Sequence, residues 1–406
     1  MKVLLVTQYF YPENFKSNDM AFELARRGHN VTVLTGIPNY PSGRFLDGYG
    51  LFSKRTELIN GVKVIRAFLL PRGKGGGFRL ALNYFSWVFF ASIRALFLAV
   101  FNRYDVIIGH EPSPITQGIP AIVVKRIQKI PFYFWVLDLW PESLESAGGV
   151  TNKSVLNFFL KITQFVYNNS DKILISSRGF AESILEKGDY QNKLVYFPNW
   201  GEDIFTVSKE YHIPPLQNGF KVMFAGNIGE AQDMDNIMNA ALELKGESDI
   251  KFVIIGDGRK LAFVKEFVHK HQLQDSVSIL GRFPLDAMPS FFKKADVMLV
   301  TLKDEMIFNV TIPAKVQAYM AAGRPIAAML NGEGAAIITE AQCGVAVNAG
   351  DYLELAQVIR NLRIRDQQDL KRLGLNGRAY FDKYFTLNHC MNNLENIVNK
   401  KMQCEY

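Results

Sequence analysis

The chain has 406 residues, enough for two domains, and 48% of them are hydrophobic, which excludes a disordered polar chain. Three cysteines without CxxC spacing exclude a disulfide scaffold, and six scattered histidines without an HxxxH or HExxH pair argue against a protein-made metal site. The net charge of +7 is unevenly placed: no acidic residue stands between Glu57 and Asp105, where Lys63, Arg66, Arg72, Lys74, Arg79, Arg94 and Arg103 all fall.

Residues 1–7 read as a first β-strand, being too short an apolar run for a signal peptide. A loop at 8–15, an amphipathic helix at 18–27 closed by Gly28, and a strand at 31–35 follow. Repetition of this unit predicts a parallel sheet with helices on both faces and ligands at the carboxyl ends of its strands. The loops 8–15 and 37–43 therefore point at a cleft. After a glycine-rich loop at 73–77, residues 78–101 form an apolar, aromatic segment approaching the ~20 residues of a membrane span. Arg94 within it, beside Asn83 and Ser86, makes spanning costly. Two readings stay open. The segment is a core helix in an unusually apolar surround, or it dips an aromatic face with Trp87, Phe89 and Phe90 into a membrane surface, steered by Arg72, Lys74 and Arg79. Nucleic acid is not expected, because the aromatics are not interleaved with the charges as base stacking requires.

Strands at 105–109 and 132–137 deliver His110 and Glu111, then Asp138 and Glu142, to the edge that Glu13 also reaches. Strands at 172–176 and 194–197 complete this half. A carboxylate beside a histidine can do acid–base work or stabilise positive charge at a reacting centre. Asp138 leads, since it ends a fully apolar strand at the expected cleft. Glu142 reads as a first-turn acid favoured by the helix dipole. His110 stays open between function and core, and Glu13 has no evident structural duty.

Residues 201–219, with Pro214-Pro215, read as a linker. A second series begins with a strand at 220–226 running into Gly226-Asn227-Ile228-Gly229, then a helix at 235–245. Strands at 251–255 and 277–280 run into Gly256-Asp257-Gly258 and Gly281-Arg282-Phe283. Strands that end in glycine let a backbone approach a ligand closely. A strand at 297–300 and a polar loop at 303–305 precede a helix opened by Pro313 and closed at Gly323, and an apolar strand starts after Pro325. The free amides of a helix start at Thr311-Ile312-Pro313-Ala314-Lys315 suit an anion. Together these features point to a nucleotide diphosphate, with Arg282 and Lys315 supplying charge in place of a metal. An ordinary α/β crossover with a capped helix is the alternative.

The stretches Ala225-Gly226-Asn227-Ile228-Gly229, Ile255-Gly256-Asp257-Gly258, Leu280-Gly281-Arg282-Phe283 and Pro313-Ala314-Lys315 with Tyr319-Met320-Ala321-Ala322-Gly323-Arg324-Pro325 resemble glycosyltransferase family 4. Tyr9-Phe10-Tyr11-Pro12-Glu13, Pro38-Asn39-Tyr40-Pro41-Ser42-Gly43 and Asp138-Leu139-Trp140-Pro141-Glu142-Ser143 agree. The branch it looks like builds bacterial O-antigen and capsule repeat units and includes N-acetyl-L-fucosaminyl transferases. The resemblance implies an α/β fold of two facing Rossmann-like domains (GT-B) with the active-site cleft between them. Residues 1–200 would bind the acceptor and carry the membrane-facing segment 72–101. Residues 220–386 would bind the donor, and residues 387–406 would cross back as a helix.

By the same resemblance the enzyme is retaining and needs neither cofactor nor metal, a UDP-linked sugar being its substrate. Diphosphate would lie near Gly226, Asn227, Gly229 and Thr311 to Lys315, including Ile312, and the base near Gly258, Arg282 and Phe283. Asp138, with His110 and Glu13, would serve the reacting centre. The implied partners are an undecaprenyl-diphosphate-linked acceptor and the inner face of the plasma membrane, for a peripheral cytoplasmic protein. The family's paired glutamates fall on Val310 and Ala318, leaving Glu305 and Glu333 as replacements, and its histidine falls on Leu137. The usual Arg and Lys are missing from residues 227–232, where Glu230 would oppose a phosphate. A nucleotide-sugar epimerase or hydrolase of the same fold, or a non-catalytic nucleotide-sugar-binding membrane protein, is the alternative.

Overall fold

The computed structural model describes residues 1–73, 76–146, 149–206 and 210–402. The chain divides into two units, Met1–Asn199 joined by the chain from Met391 onward, and Trp200–Cys390. Each is a mainly parallel sheet covered by helices.

The first unit holds β1 (Lys2–Val6), β2 (Asn30–Gly36), β3 (Thr56–Ile59), β4 (Val62–Ala67), β5 (Val106–Glu111), β6 (Phe132–Val136), β7 (Lys172–Ile175) and β8 (Leu194–Tyr196). Their order is β3-β4-β2-β1-β5-β6-β7-β8, parallel except for β3, which runs antiparallel to β4. The central strands are buried on both faces, as continuous runs such as Phe132-Tyr133-Phe134-Trp135-Val136 require. The order reverses between β1 and β5, so their carboxyl ends flank the crevice where ligands of doubly wound sheets bind. The β3–β4 hairpin is absent from the sequence reading. It turns on Asn60-Gly61, both at positive φ (47° and 81°), the pair a tight hairpin favours.

The aromatic segment forms helix Gly77–Phe101. Asn83, Trp87, Ala91, Ala95 and Leu98, three or four residues apart, are buried against the unit. Phe78, Leu82, Phe85, Phe89, Ile93, Phe97 and Val100 repeat at the same spacing and are exposed. The helix thus has one face in the core and one face exposed. Trp87 does not belong to the exposed set: it is 0% exposed, against 61% for Phe89. Helical phase places it beside Asn83 and Ala91. Lys74 lies outside the described residues.

The second unit holds β9 (Phe220–Ala225), β10 (Ile250–Ile255), β11 (Val277–Gly281), β12 (Val297–Thr301), β13 (Ile326–Met329) and β14 (Gly344–Val347). The order is β11-β10-β9-β12-β13-β14, all parallel, reversing between β9 and β12. The segment read as a linker packs on this unit: Phe205 stacks on Phe292 at 5.5 Å, and Ile213 and Leu216 lie against the same core. Helix Leu387–Met402 is the last element among the described residues, and its later part belongs to the first unit, where Glu395 pairs with Arg27 and His29, each at 2.7 Å.

Candidate active site

In the second unit, β9 is followed by Gly226 at φ 143° and β10 by Gly256 at φ 144°. A Cβ on Gly256 would sit 1.8 Å from the Gly226 carbonyl oxygen, so the two turns nest against each other. Close approach of neighbouring backbone, not a ligand, already demands glycine there. A Cβ on Gly226 would meet Lys315 Cε at 2.6 Å. Lys315 is the second residue of helix Ala314–Ala321, and its stem crosses the glycine turn at the β9–β12 switch point. Its ammonium donates to Gln232 Oε1 and stands 3.9 Å from the Phe224 ring centroid. Burial lowers its pKa to about 7. Among the described residues no carboxylate pairs with it.

The other expected donor residues are distributed around this edge. Gly323, at φ 64°, closes the helix as its position predicted. Glu230 is paired with Lys260 at 3.5 Å and Lys303 at 3.3 Å, so its charge is offset locally. Gly258 lies against Asn227, and Gly229 packs on the Asn227 amide. Arg282 is exposed after β11, and Phe283 stands edge-on to Phe291 at 4.8 Å. Glu305 is exposed at the start of the short helix Met306–Asn309, and Glu333 sits in the first turn of helix Gly332–Glu340. The Asp304–Asn309 hydrogen bond (2.8 Å) and the packing of Gly332 on the Asn309 carbonyl tie these two elements together. Thr311 points elsewhere: its hydroxyl donates to the Ile307 carbonyl, closing the preceding turn. Ile312 is half-buried against the core.

In the first unit, Asp138 follows β6 as expected. It accepts hydrogen bonds from Ser143 Oγ and from Trp140 Nε1 (3.2 Å), and burial raises its pKa despite them. Ser113, at the unusual φ of 126°, also reaches it, as it reaches the Tyr84 phenol. Tyr84 in turn bonds Tyr9, over whose ring the Arg72 guanidinium stands at 5.9 Å, and at 5.2 Å over Tyr40. Arg72 therefore belongs to the sheet edge, not to the lipid-facing surface assigned to it from sequence. The reason is local: its backbone amide donates to Asn39 Oδ1 at 3.2 Å, which turns the chain inward.

His110 and Glu13 take other parts than expected. β5 runs through His110 and Glu111, so both are enclosed in the sheet. The His110 ring packs 5.0 Å from Trp135, its Nδ1 meets Thr7 Oγ1 at 3.1 Å, and burial lowers its pKa to about 3. A pKa so far below 7 makes the imidazole a weak proton acceptor, and its burial keeps substrate away from it, which does not suit a general base. Glu111 is fully buried, with its pKa raised by burial and then by Asp138. Glu13 accepts from the amides of Asn39 and Tyr40, each at 2.7 Å, and clamps the loop after β2. Burial lifts its pKa to about 7. Glu142 accepts from Ser183 Oγ (2.8 Å) and pairs with the buried Lys187, a structural duty beyond the expected cap.

Comparison with known proteins decides what these edges belong to. Residues 219–363 match the family model described as "Glycosyl transferases group 1", and residues 17–200 the model described as "Glycosyl transferase 4-like domain". A Pseudomonas aeruginosa protein named as glycosyltransferase WbjE is 32% identical over 289 residues, which cover 67% of this chain and 69% of that protein. The chain is a member of this glycosyltransferase family. WcaI of Escherichia coli, named for colanic acid biosynthesis glycosyl transfer, is 24% identical over 349 residues, covering 80% of this chain and 82% of its own. The crystal structure of Anabaena Alr3699/HepE in complex with UDP covers 98% of this chain and 100% of its own at a TM-score of 0.71 and 14% identity, a likeness of fold.

The chain has no acid at Val310 or Ala318, and the replacements read from sequence, Glu305 and Glu333, stand at two neighbouring helix starts. The residues missed from sequence are Tyr9, Tyr84 and Ser113, which share the Asp138 neighbourhood with Glu111. Tyr84 sits inside the apolar segment, and only its phenol, one residue from the buried Asn83, could have marked it.

Proposed function

We propose that this glycosyltransferase moves a sugar from a UDP-linked donor to a saccharide carried on undecaprenyl diphosphate, with retention, at the inner face of the plasma membrane. The observation that carries this reading is the seat of Lys315. An ammonium without a carboxylate partner, folded over a glycine turn at the switch point of a parallel sheet, fits a nucleoside diphosphate. In the reaction the bond from the anomeric carbon to the diphosphate oxygen breaks. A bond from that carbon to the acceptor oxygen forms on the same face, and the acceptor proton passes to the leaving diphosphate. Lys315, Arg282 and backbone amides balance the charge that develops, in place of a metal ion. Asp138 orients the acceptor hydroxyl and stabilises positive charge at the anomeric carbon.

The UDP complex of HepE supports the choice of nucleotide, and the name of WcaI supports a role in polysaccharide synthesis. O-antigen or capsule repeat units are the proposed setting, and N-acetyl-L-fucosamine is the sugar to try first. The exposed aromatic face of helix Gly77–Phe101 supports the lipid acceptor, and a groove of about 890 Å³ at its start, lined by Arg44, Phe45, Phe78 and Arg79, fits its head.

The test is thermal unfolding with UDP, GDP, CDP and dTDP in the presence of a chelator. A ligand at ~100 times its dissociation constant adds about 2.7 kcal/mol of stability. A shift with UDP alone is expected, and UDP-sugar should be consumed only when acceptor lipid is added. No shift with any nucleotide refutes the donor site, and donor turnover without acceptor replaces transfer with hydrolysis or epimerisation.

A further inference from the structure

The first unit carries a second cationic feature, away from the Asp138 cluster. On the exposed side of helix Gly77–Phe101, Phe90, Ile93, Arg94 and Phe97 form one wall of a slot of about 430 Å³. Leu51, Arg55 and Phe68, flanking the β3–β4 hairpin, form the other. The walls meet where the Phe68 and Phe90 rings stand edge-on at 5.0 Å.

Arg55 is fixed in place: its Nε donates to the Arg66 carbonyl at 2.9 Å and its Nη1 to the Leu51 carbonyl at 2.8 Å. Arg94 has neither ion pair nor hydrogen bond among the described residues. The acid nearest to Arg55 in sequence, Glu57, is occupied by Arg66 at 3.0 Å. Burial, and then the charge of Arg94, lower the pKa of Arg55, so the two guanidiniums share one field. Like charges held together without a carboxylate raise the energy of the unliganded protein, and an anion relieves it. The remaining wall is apolar, which suits an anion attached to a hydrocarbon chain.

We propose that this slot seats the phosphodiester of an anionic membrane phospholipid, with Arg55 and Arg94 on the phosphate and its first methylenes against Phe90, Ile93 and Phe97. The source of the ligand rests on the membrane reading above. The exposed stripe continues on both sides of the slot through Phe89, Leu96 and Val100, which places its mouth at the level where lipid phosphates lie. The site is separate from the acceptor's, so it holds a bulk lipid and fixes how the first unit rests on the bilayer.

Binding of the full chain to phosphatidylcholine vesicles, with and without 30% phosphatidylglycerol, tests this in two variants. Arg55→Gln/Arg94→Gln empties the slot, and Arg44→Gln/Arg79→Gln removes the same charge from the neighbouring groove. A diffuse field costs each pair equally, roughly fivefold per arginine. The slot predicts that the first pair loses at least tenfold more preference for phosphatidylglycerol than the second, while binding to neutral vesicles is kept. Dihexanoyl phosphatidylglycerol in solution should broaden amide resonances around Arg94, and inorganic phosphate at equal concentration should not. Equal losses in the two variants overturn the slot, and competition by inorganic phosphate overturns the lipid as occupant. If the wild type binds neither vesicle, the membrane reading fails, and the soluble lipid still decides the slot.

Discussion

Lys315→Met tests the donor site most directly, because function and stability should move in opposite directions. Burial brings the Lys315 pKa from the ordinary 10.5 to about 7. The unfolded chain therefore binds more protons between pH 7 and 10.5, and the lysine destabilises the fold most below pH 7 and not at all above 10.5. At pH 7 that penalty is roughly 2–4 kcal/mol. Methionine keeps the stem that packs on Gly226 and removes the charge. The variant should unfold several degrees higher at pH 7, with the gain shrinking towards pH 10.5. Its affinity for UDP should fall about 100-fold, the loss of a charge-assisted contact worth ~2–3 kcal/mol. In the wild type, UDP binding needs the protonated amine and raises its pKa. Affinity is then full below pH 7 and weakens about 50-fold between pH 7 and 9. Calorimetric titration with UDP at several pH values, beside melting curves, measures both. A variant that melts lower at pH 7, or that binds UDP within threefold of wild type, refutes the reasoning.

Asp138→Asn should lower transfer at least 100-fold while UDP binding to the second unit stays within twofold, measured by turnover and calorimetry. Glu13 has a folded pKa of about 7, above its ordinary 4.5, so its contribution to stability is full below pH 4.5 and is lost as the pH rises to 7. Glu13→Gln keeps an acceptor for Asn39 and Tyr40 and should raise stability at pH 8 by about 1–3 kcal/mol in denaturant melts, whereas Glu13→Ala should lower it. Phe89→Ser/Phe101→Ser removes two exposed rings outside the Arg55–Arg94 slot and should weaken vesicle binding at least tenfold without changing the melting temperature. Asn83→Ala leaves Gln8 Nε2 and the Leu70 carbonyl without their partner and should cost about 2–4 kcal/mol in the first unit.

The sheets are legible because parallel strands buried on both faces are written as unbroken apolar runs, and eleven of the fourteen strands among the described residues stand where such runs are. The hairpin at Asn60-Gly61 is not legible as a run because β3 alternates exposed and half-buried residues, and its signal is the turn. Strand ends were less legible than strands. His110 reads as a loop residue until β5 is seen to continue through Glu111, and two residues decide whether an imidazole meets water. The glycines of the second unit were placed correctly, but Gly256 serves Gly226 and Gly226 serves Lys315. That fact depends on neighbours in space, which no spacing in the sequence encodes.

Helix Gly77–Phe101 joins the two halves of the proposed acceptor chemistry. On its buried side, Asn83 accepts from Gln8 Nε2 at 2.7 Å, donates to the Leu70 carbonyl at 2.6 Å, and reaches Asn39 Oδ1 at 3.4 Å. These bonds lock it to the loops after β1 and β2. The next residue, Tyr84, delivers its phenol to Tyr9 and Ser113, beside Asp138. On the opposite side stand Phe85, Phe89 and Phe97. A helix with its side chains is about 10–12 Å across, so a lipid surface touching the aromatic face lies about that far from the Asp138 cluster. A diphosphate with its first sugar spans a comparable length, so the proposed acceptor would reach Asp138 with its hydroxyl while its hydrocarbon stayed in the bilayer. On the proposed function, a polar anchor on one face and an aromatic stripe on the other are parts of one arrangement. This accounts for an asparagine and a tyrosine within an otherwise apolar run.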